Sequence, residues 1–515
     1  MADAPNTTPD VERFLKRYER AKARFDKSRT VIDECYEFGL PLRERTYCDG
    51  GEGARRTDRL FDSTAVGLLQ DLASQMLDDV WPADAKPFEL EAGPDVPPEE
   101  RPAVNRALSE VAREIVETVN NSNFRSAAHE ALMDWGIATG FLLPEEGDAL
   151  QPVRFRCLPL TEAMPDLGPF DEIDALFRPR KVRAADITTL WPGATLYREL
   201  EETIRRQPDQ MIDVVEGSER DWSVRATETW RYSCVVTAKK HVLKAGTHDG
   251  FGSKPFIDFS SARVTGEVLG RGQMQVALPD IKTLNLVKQL VLENADLAIS
   301  GLWQYDDDGV MNPDTIQILP GTTIPRVQGS RGLEPLQTPG DFNVGELIIK
   351  DLQGQIRSIF FGDDLGPPKN TPMSATEVLE RSSSRARRRA GPYQRLIVEL
   401  LFQTVRRVAY LLVRQGRIKL PAIDGRRVIF RPLSPLTRAQ AQDEILRHDR
   451  YLEMLNMRLG PQVTATLFDF EKYGEWLARK IGVEPSLVRT QGERKQMVQA
   501  VAQLAQTAQA SGAAA

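Results

Sequence analysis

Histidine and cysteine are scarce, with four of each in 515 residues. Cys35, Cys48, Cys157 and Cys234 are widely spaced and none lies in a CxxC pair. That spacing argues against a disulfide framework or a structural zinc site, and reduced thiols are the expectation. His129-Glu130 opens like a zinc-protease helix, but Met133 stands where the second histidine ligand belongs. His129, His241, His248 and His448 therefore read first as surface side chains. Long apolar runs are missing too. The longest, such as Val408–Val413, are far too short to cross a bilayer. Met1 to Asp10 is polar, without an apolar signal core, which predicts a chain kept in a cytosol-like compartment and no membrane partner.

A basic excess is also absent, since the net charge is −7. A protein that clamps a duplex through its overall field is usually basic, because affinity comes from neutralising phosphates. The balance therefore argues against a repressor or a packaging histone and is compatible with a passage in which DNA slides. Catalytic patterns are missing across classes. Gly270-Arg271-Gly272 is completed neither to a phosphate loop nor to GxGxxG, and no GxSxG elbow occurs. Asp306-Asp307-Asp308-Gly309 lacks the alternating ligands and terminal Glu of a calcium loop and reads as a turn. No catalytic residue, metal or cofactor is indicated, and the expectation is a protein that is not an enzyme.

What is present is helical periodicity interrupted by a β-rich middle. Val11 to Tyr36 carries Phe14, Leu15, Tyr18, Ala21, Phe25, Ile32 and Cys35 at helical spacing. Asp62 or Ser63 is placed to cap the next helix, with Val66, Leu69, Ala73, Met76 and Val80 on one face and Trp81-Pro82 as its stop. Helices are also predicted over Val104 to Val119 and Phe124 to Thr139. From about Val153 to Gly270, segments such as Val153–Leu158, Ala226–Val236 and Phe256–Arg263 read as strands, with helical pieces near Ala184–Leu190 and Leu196–Arg206. The fold class expected is mixed α+β, rich in helix.

Two later helices carry the main structural argument. Pro279 to about Ser300 is apolar on more than one stripe, through Ile281, Leu284, Val287 and Val291 together with Leu286 and Leu290. Such a helix is packed on two sides, as between neighbouring subunits. Val344 to Phe361 has Leu347, Ile348 and Leu352 on one face and Glu346, Lys350, Gln353 and Arg357 on the other. That polar stripe must face something aqueous. A loop follows, Phe361, Gly362, Asp363 and Asp364 through Pro372. A capping box of Ser374 and Glu377 then starts a helix expected to kink at Gly391-Pro392 and to end at Gly416. Arg381, Arg385 and Arg387 to Arg389 read as a solvated or salt-bridged helix face ahead of a DNA contact. Thr437 and Gln440 cap a further helix, and the Ala/Gln-rich tail beyond Glu493 is expected to fray.

Four stretches, in order, resemble the head–tail connector (portal) family of short-tailed bacteriophages. The first is Arg59-Leu60-Phe61-Asp62-Ser63-Thr64-Ala65 with Leu72-Ala73-Ser74, Trp81-Pro82 and Phe88-Glu89-Leu90. The second is His129-Glu130-Ala131-Leu132 with Gly140 and Glu145-Glu146. The third runs from Gly270-Arg271-Gly272 to Leu278-Pro279-Asp280-Ile281-Lys282-Thr283-Leu284-Asn285, and the fourth is Pro372-Met373-Ser374-Ala375-Thr376-Glu377-Val378 with Arg381. Ser434-Pro435-Leu436 is a weaker fifth. Gly272-Gln273 stands where the family has Ser-Pro, which is expected to loosen the loop before the helix. Ser374 for Thr keeps the capping chemistry.

The resemblance implies a ring of about twelve copies at one capsid vertex, in the virion after assembly in host cytoplasm. It implies a wing (1–278), a first stem helix (279–300), a clip (301–343) and a second stem helix (344–360). A tunnel loop (361–373), a kinked wing helix with wing completion (374–435) and a crown with its tail (436–515) would follow. Implied partners are further copies of the chain, double-stranded DNA in the channel, major capsid and scaffolding protein, terminase and a tail adaptor. Glu346, Lys350, Arg357, Lys369 and Asn370 would face the channel, and Ile281, Leu284, Val287, Val291, Leu347, Ile348 and Leu352 would pack between subunits. A neck adaptor, or a nuclease of the packaging machinery, is the competing expectation.

Overall fold

The computed structural model describes residues 11–43, 57–83, 85–224, 227–300, 302–304, 334–336, 342–362, 391–420, 423, 426–433 and 435–481. The chain opens with α1 (Val11–Gly39), α2 (Thr64–Val80), β1 (Phe88–Ala92), α3 (Arg101–Asn120) and α4 (Phe124–Ile137). Phe14, Ala21, Phe25, Ile32 and Cys35 form the buried stripe of α1, as the spacing predicts. Of the two candidate caps for α2, Asp62 acts: its Oδ1 accepts the Thr64 N–H at 2.8 Å, while Ser63 makes no side-chain cap bond.

The middle of the chain is β-rich. Next come β2 (Thr139–Glu146), β3 (Val153–Leu158), β4 (Met164–Leu167), β5 (Ile173–Arg183), α5 (Ile187–Leu190), α6 (Arg198–Arg206), β6 (Met211–Arg220), β7 (Thr229–Val236), β8 (His241–Asp249) and β9 (Ile257–Ser260). Antiparallel β4-β5-β6-β7-β8 form a five-stranded meander, and β3-β2-β9 a three-stranded sheet. The meander's two faces separate by the period of two that a strand imposes. Val215 and Val235 join the main core, whereas Val214, Cys234 and Val236 meet Ile187, Trp191 and Leu200 beneath α5 and α6. Arg17 of α1 ties this sheet to the helices through Asp166, Asp174 and Glu219.

Three expectations are corrected. Phe124 to Thr139 is not all helix: α4 ends at Ile137, and Thr139 begins the central strand of the three-stranded sheet. Buried on both sides, β2 has no alternation to announce it. Gly272 does not loosen its loop. Its N–H donates to the Ile137 carbonyl at 2.9 Å, and a Cβ there would lie 2.1 Å from the Gly136 oxygen. Glycine is what lets the start of the following helix touch the end of α4. That helix, α7 (Gln273–Ser300), begins six residues before Pro279, which lies inside it.

After α7 come β10 (Leu302–Gln304) and β11 (Glu334–Leu336), paired antiparallel, and α8 (Phe342–Ile359). Gly391 and Pro392 are themselves helical, and the departure from α geometry falls at a π segment, Ile397–Phe402, before α9 (Gln403–Arg414). β12 (Val428–Pro432) pairs with β1, so the chain's late strand closes onto its early one. α10 (Pro435–Leu459), α11 (Pro461–Leu467) and α12 (Phe470–Ile481) complete the described chain. No helix among the described residues is long and apolar enough to cross a membrane.

Candidate functional site

α7 and α8 form an antiparallel pair. A Cβ on Gly345 would sit 2.9 Å from Val291 Cγ2, while farther back Lys288 of α7 and Gln353 of α8 reach one carboxylate, that of Asp62. The absence of a side chain at Gly345 lets the two helices approach there. At their root the pair is embedded in the chain's core. Ile281 is 3% and Leu284 1% exposed, and Ile356 and Phe360 are buried beside them. These two predicted stem residues thus pack within the chain itself. Val287, Val291 and Leu352 are half-buried. Farther out the same helices present apolar side chains to solvent: Leu290 and Leu292 are about half exposed, and Leu347 is 71% exposed with Ile348 beside it.

The root is fixed by a polar joint that sequence reasoning did not assemble. Asn285 of α7 accepts with Oδ1 from the backbone N–H groups of Phe61 (2.7 Å) and Asp62 (3.2 Å), and donates with Nδ2 to the Arg59 carbonyl at 2.9 Å. Asp62 Oδ2 takes Lys288 Nζ at 3.0 Å and Gln353 Nε2 at 3.1 Å, and the same Gln353 nitrogen lies 3.3 Å from Thr64 Oγ1. Burial pushes the Asp62 carboxyl up, but the hydrogen bonds from Thr64 and the Lys288 ammonium outweigh it and hold it below its ordinary range. The Arg59–Ala65 stretch and the Leu278–Asn285 stretch, bonded between positions 223 to 226 residues apart in the chain, are therefore two halves of one joint. The available signal was a capping Asp and an Asn on an otherwise apolar helix; their pairing was invisible without the fold.

The polar stripe of α8 is divided by this joint. Glu346 and Lys350 are exposed and paired at 2.6 Å, and the ammonium holds the Glu346 carboxyl below its ordinary range. Arg357 is exposed on the same helix. Gln353, placed between them in sequence, instead turns inward to Asp62. At the end of α8, Phe361 has φ +57° and the Gly362 N–H reaches back to the Arg357 carbonyl at 2.8 Å. That is a Schellman stop with a phenylalanine in the left-handed position usually given to glycine. Asp363, Asp364, Lys369, Asn370 and Pro372 of the expected tunnel loop, the Arg381–Arg389 cluster and the Ser374 capping box lie outside the described residues.

The family model for "Bacteriophage head to tail connecting protein" matches residues 11–488. No curated protein matches the chain. Among solved structures, one titled "Virion of native gene transfer agent (GTA) particle" is similar at 12% identity and TM-score 0.36, covering 84% of this chain and 92% of its own. Another, "Neck of empty GTA particle computed with C6 symmetry", is similar at 14% identity and TM-score 0.39, covering 82% and 92% respectively. The family match, which spans the helices and sheets before α7, the α7–α8 pair and the C-terminal helices, carries the assignment: the chain belongs to the bacteriophage head to tail connecting proteins, and its place is the portal vertex of the virion.

Proposed function

We propose that the chain is one subunit of a closed ring of about a dozen copies that conducts DNA into and out of the capsid and performs no covalent chemistry itself. The observation that supports this best is the division of the α7–α8 pair into a buried root and an apolar outer part. Leu290, Leu292, Leu347 and Ile348 are exposed on helices whose roots are locked into the core. Two helices held rigidly at one end, with uncovered apolar rows on the other, are suited to a repeated head-to-tail contact that continues until a ring closes. Burial of one large apolar side chain is worth about 1.5–3 kcal/mol. Four of them per contact, repeated around a ring, supply a substantial driving force.

In this reading α7 and α8 are the stem, the residues between them the clip, and the core built by the chain before α7 the wing. α10 to α12 belong to the crown. The exposed side of α8 faces the channel. DNA would meet Lys350 and Arg357 there, with Lys369 and Asn370 of the tunnel loop, through phosphates and without regard to sequence. The Glu346–Lys350 pair lowers the local positive charge, so the passage attracts DNA weakly and lets it slide. The clip would dock terminase during packaging and a tail adaptor afterwards, and the outer wing would meet capsid and scaffolding protein.

The test is the mass of the purified chain by light scattering, with negative-stain images, for the wild type and for Leu347→Glu. A ring of about a dozen 57.7 kDa chains with a central hole, lost in Leu347→Glu while the fold is kept, is the expected result. A wild-type chain that stays monomeric even when mixed with capsid and scaffolding protein overturns the reading.

A further inference from the structure

Between the two sheets lies a cleft of about 460 Å³, walled by β2 and β3 on one side, the five-stranded meander on the other, and α9 at its end. Its guanidinium groups are paired with carboxylates one by one. Arg156 meets Glu145 at 3.2 Å, Arg180 meets Glu216 at 3.4 Å, Arg414 meets Glu146 at 3.3 Å, and Arg178 meets Glu162 at 2.7 Å. Arg407 is the exception. It is 6% exposed, and its hydrogen bonds are donations from Nη1 to the carbonyls of Ser253 (3.1 Å) and Gly252 (3.4 Å). Its Nε is buried with no partner among the described residues, and its charge lies over the Tyr410 ring at 5.1 Å. The neighbouring Arg406 shows the contrast, since it binds the Glu228 carboxylate.

A buried cation with only carbonyls and a ring beside it is expensive to keep charged. Burial indeed pushes the Arg407 guanidinium down to about 10. The carboxylates that act on it through space, Glu146 and Glu228, are already committed to Arg414 and Arg406. Burial, with Arg407 and Arg414, also pushes His248 in the same cleft down to about 4, so the imidazole adds no charge at neutral pH. Lys244, on the cleft wall, donates to the Pro192 carbonyl at 2.7 Å rather than to an acid. The cleft therefore holds two cations, Arg407 and Lys244, for which the protein supplies no hydrogen-bonded carboxylate among the described residues.

We propose that this cleft is a binding site for a small oxyanion, a phosphate or a carboxylate group, seated on Arg407 with Lys244 and Arg414 at its rim. Nη1 is engaged by the two carbonyls and Nε is enclosed, so the oxyanion would meet this guanidinium through Nη2, in a charge-assisted bond about twice as strong as a neutral one. Trp191, Tyr232 and Phe256 line the same cleft and leave room for a short organic body behind the anionic group. The site lies within one chain, so it does not depend on ring formation.

The test is isothermal titration of the full-length chain with inorganic phosphate and, separately, with acetate, using chloride at matched ionic strength as the blank. Saturable binding of one ion per chain above the chloride blank is expected, weakened at least tenfold in Arg407→Gln. Phosphate alone binding assigns a phosphoryl ligand, and acetate alone assigns a carboxylate. Circular dichroism checks that the variant folds. If it does not, Arg414→Gln, a change at a half-exposed rim position, is read in its place and is expected to bind several-fold more weakly. Heats equal to the chloride blank, or binding unchanged in the folded variant, overturn the assignment.

Discussion

The root and the outer part of the α7–α8 pair are the same two helices in two environments, and they use leucine differently. At the root, Leu284 is 1% exposed and packs in the core. Farther out, Leu347 is 71% exposed and touches little within its own chain. Polar groups divide the same way. Asp62, Asn285, Lys288 and Gln353 converge on one another at the root, while Glu346 and Lys350 satisfy each other along a solvent-facing edge. In the proposed ring, a chain that folds before it assembles would need the two parts to fail separately. The division supplies that separation.

The comparison is broken most directly by one substitution made twice. Leu284→Ala is expected to cost about 2–5 kcal/mol in urea unfolding, the range for truncating a buried leucine. Leu347→Ala in the dilute, unassembled chain is expected to stay within about 0.5 kcal/mol of wild type. Equal costs at the two positions would mean that the outer helices are buried in the isolated chain after all.

The joint sharpens the contrast next. Asp62→Asn removes a carboxylate that accepts from an ammonium, an amide and a backbone N–H, and is expected to cost about 1.5–3 kcal/mol. Its pH signature follows from sign. Asp62 titrates lower in the folded chain than in the unfolded one, where it lies near 3.9. Its stabilisation is thus complete above that value and is lost as pH falls through the lower, folded value. Below about pH 4, wild type should lose stability more steeply than Asp62→Asn. Parallel acid limbs for the two proteins would remove Asp62 from the joint. Gln353→Ala, which removes one amide donor from the same carboxylate, is expected to cost about 1 kcal/mol by the same urea measurement.

The smallest effect is expected at the outer edge. Lys350→Ala breaks an exposed pair and should leave the unfolding midpoint where it was. A clear drop would show that the Glu346–Lys350 edge is structural rather than a surface left to face water.

Much of this was legible in the chain. The buried stripe of α1 follows the 3.6-residue period, the meander's Val and Trp residues announce strands, and the cap of α2 is narrowed to Asp62 or Ser63, of which the structure selects Asp62. Where the reading failed, a local pattern was underdetermined. Only Thr139 of β2 falls within the helix that the spacing predicts, and the rest of the strand goes unannounced because Thr139 to Leu142 are all buried, so neither period marks it. Gly272 looked like slack because nothing in its neighbours reveals that Gly136, far away in sequence, presses against it. Gln353 was assigned to a solvent stripe because helical spacing fixes which residues share a face, not what that face meets.

The sequence by itself therefore determined most of the helices, the β-rich middle and the family, because periodicity and ordered motifs are properties of consecutive residues, but not every boundary: the expected Thr437 cap lies inside the helix that starts at Pro435. Only the tertiary structure decided which polar groups pair and which stay exposed. Asn285 holding the backbone of Phe61 and Asp62, Gln353 turning from the stripe to Asp62, and Arg407 buried without a carboxylate all depend on the rotation and approach of elements distant in the chain. Hydrogen bonds and charges are settled within about 3 Å, and a linear pattern carries no information on that scale about residues hundreds of positions apart.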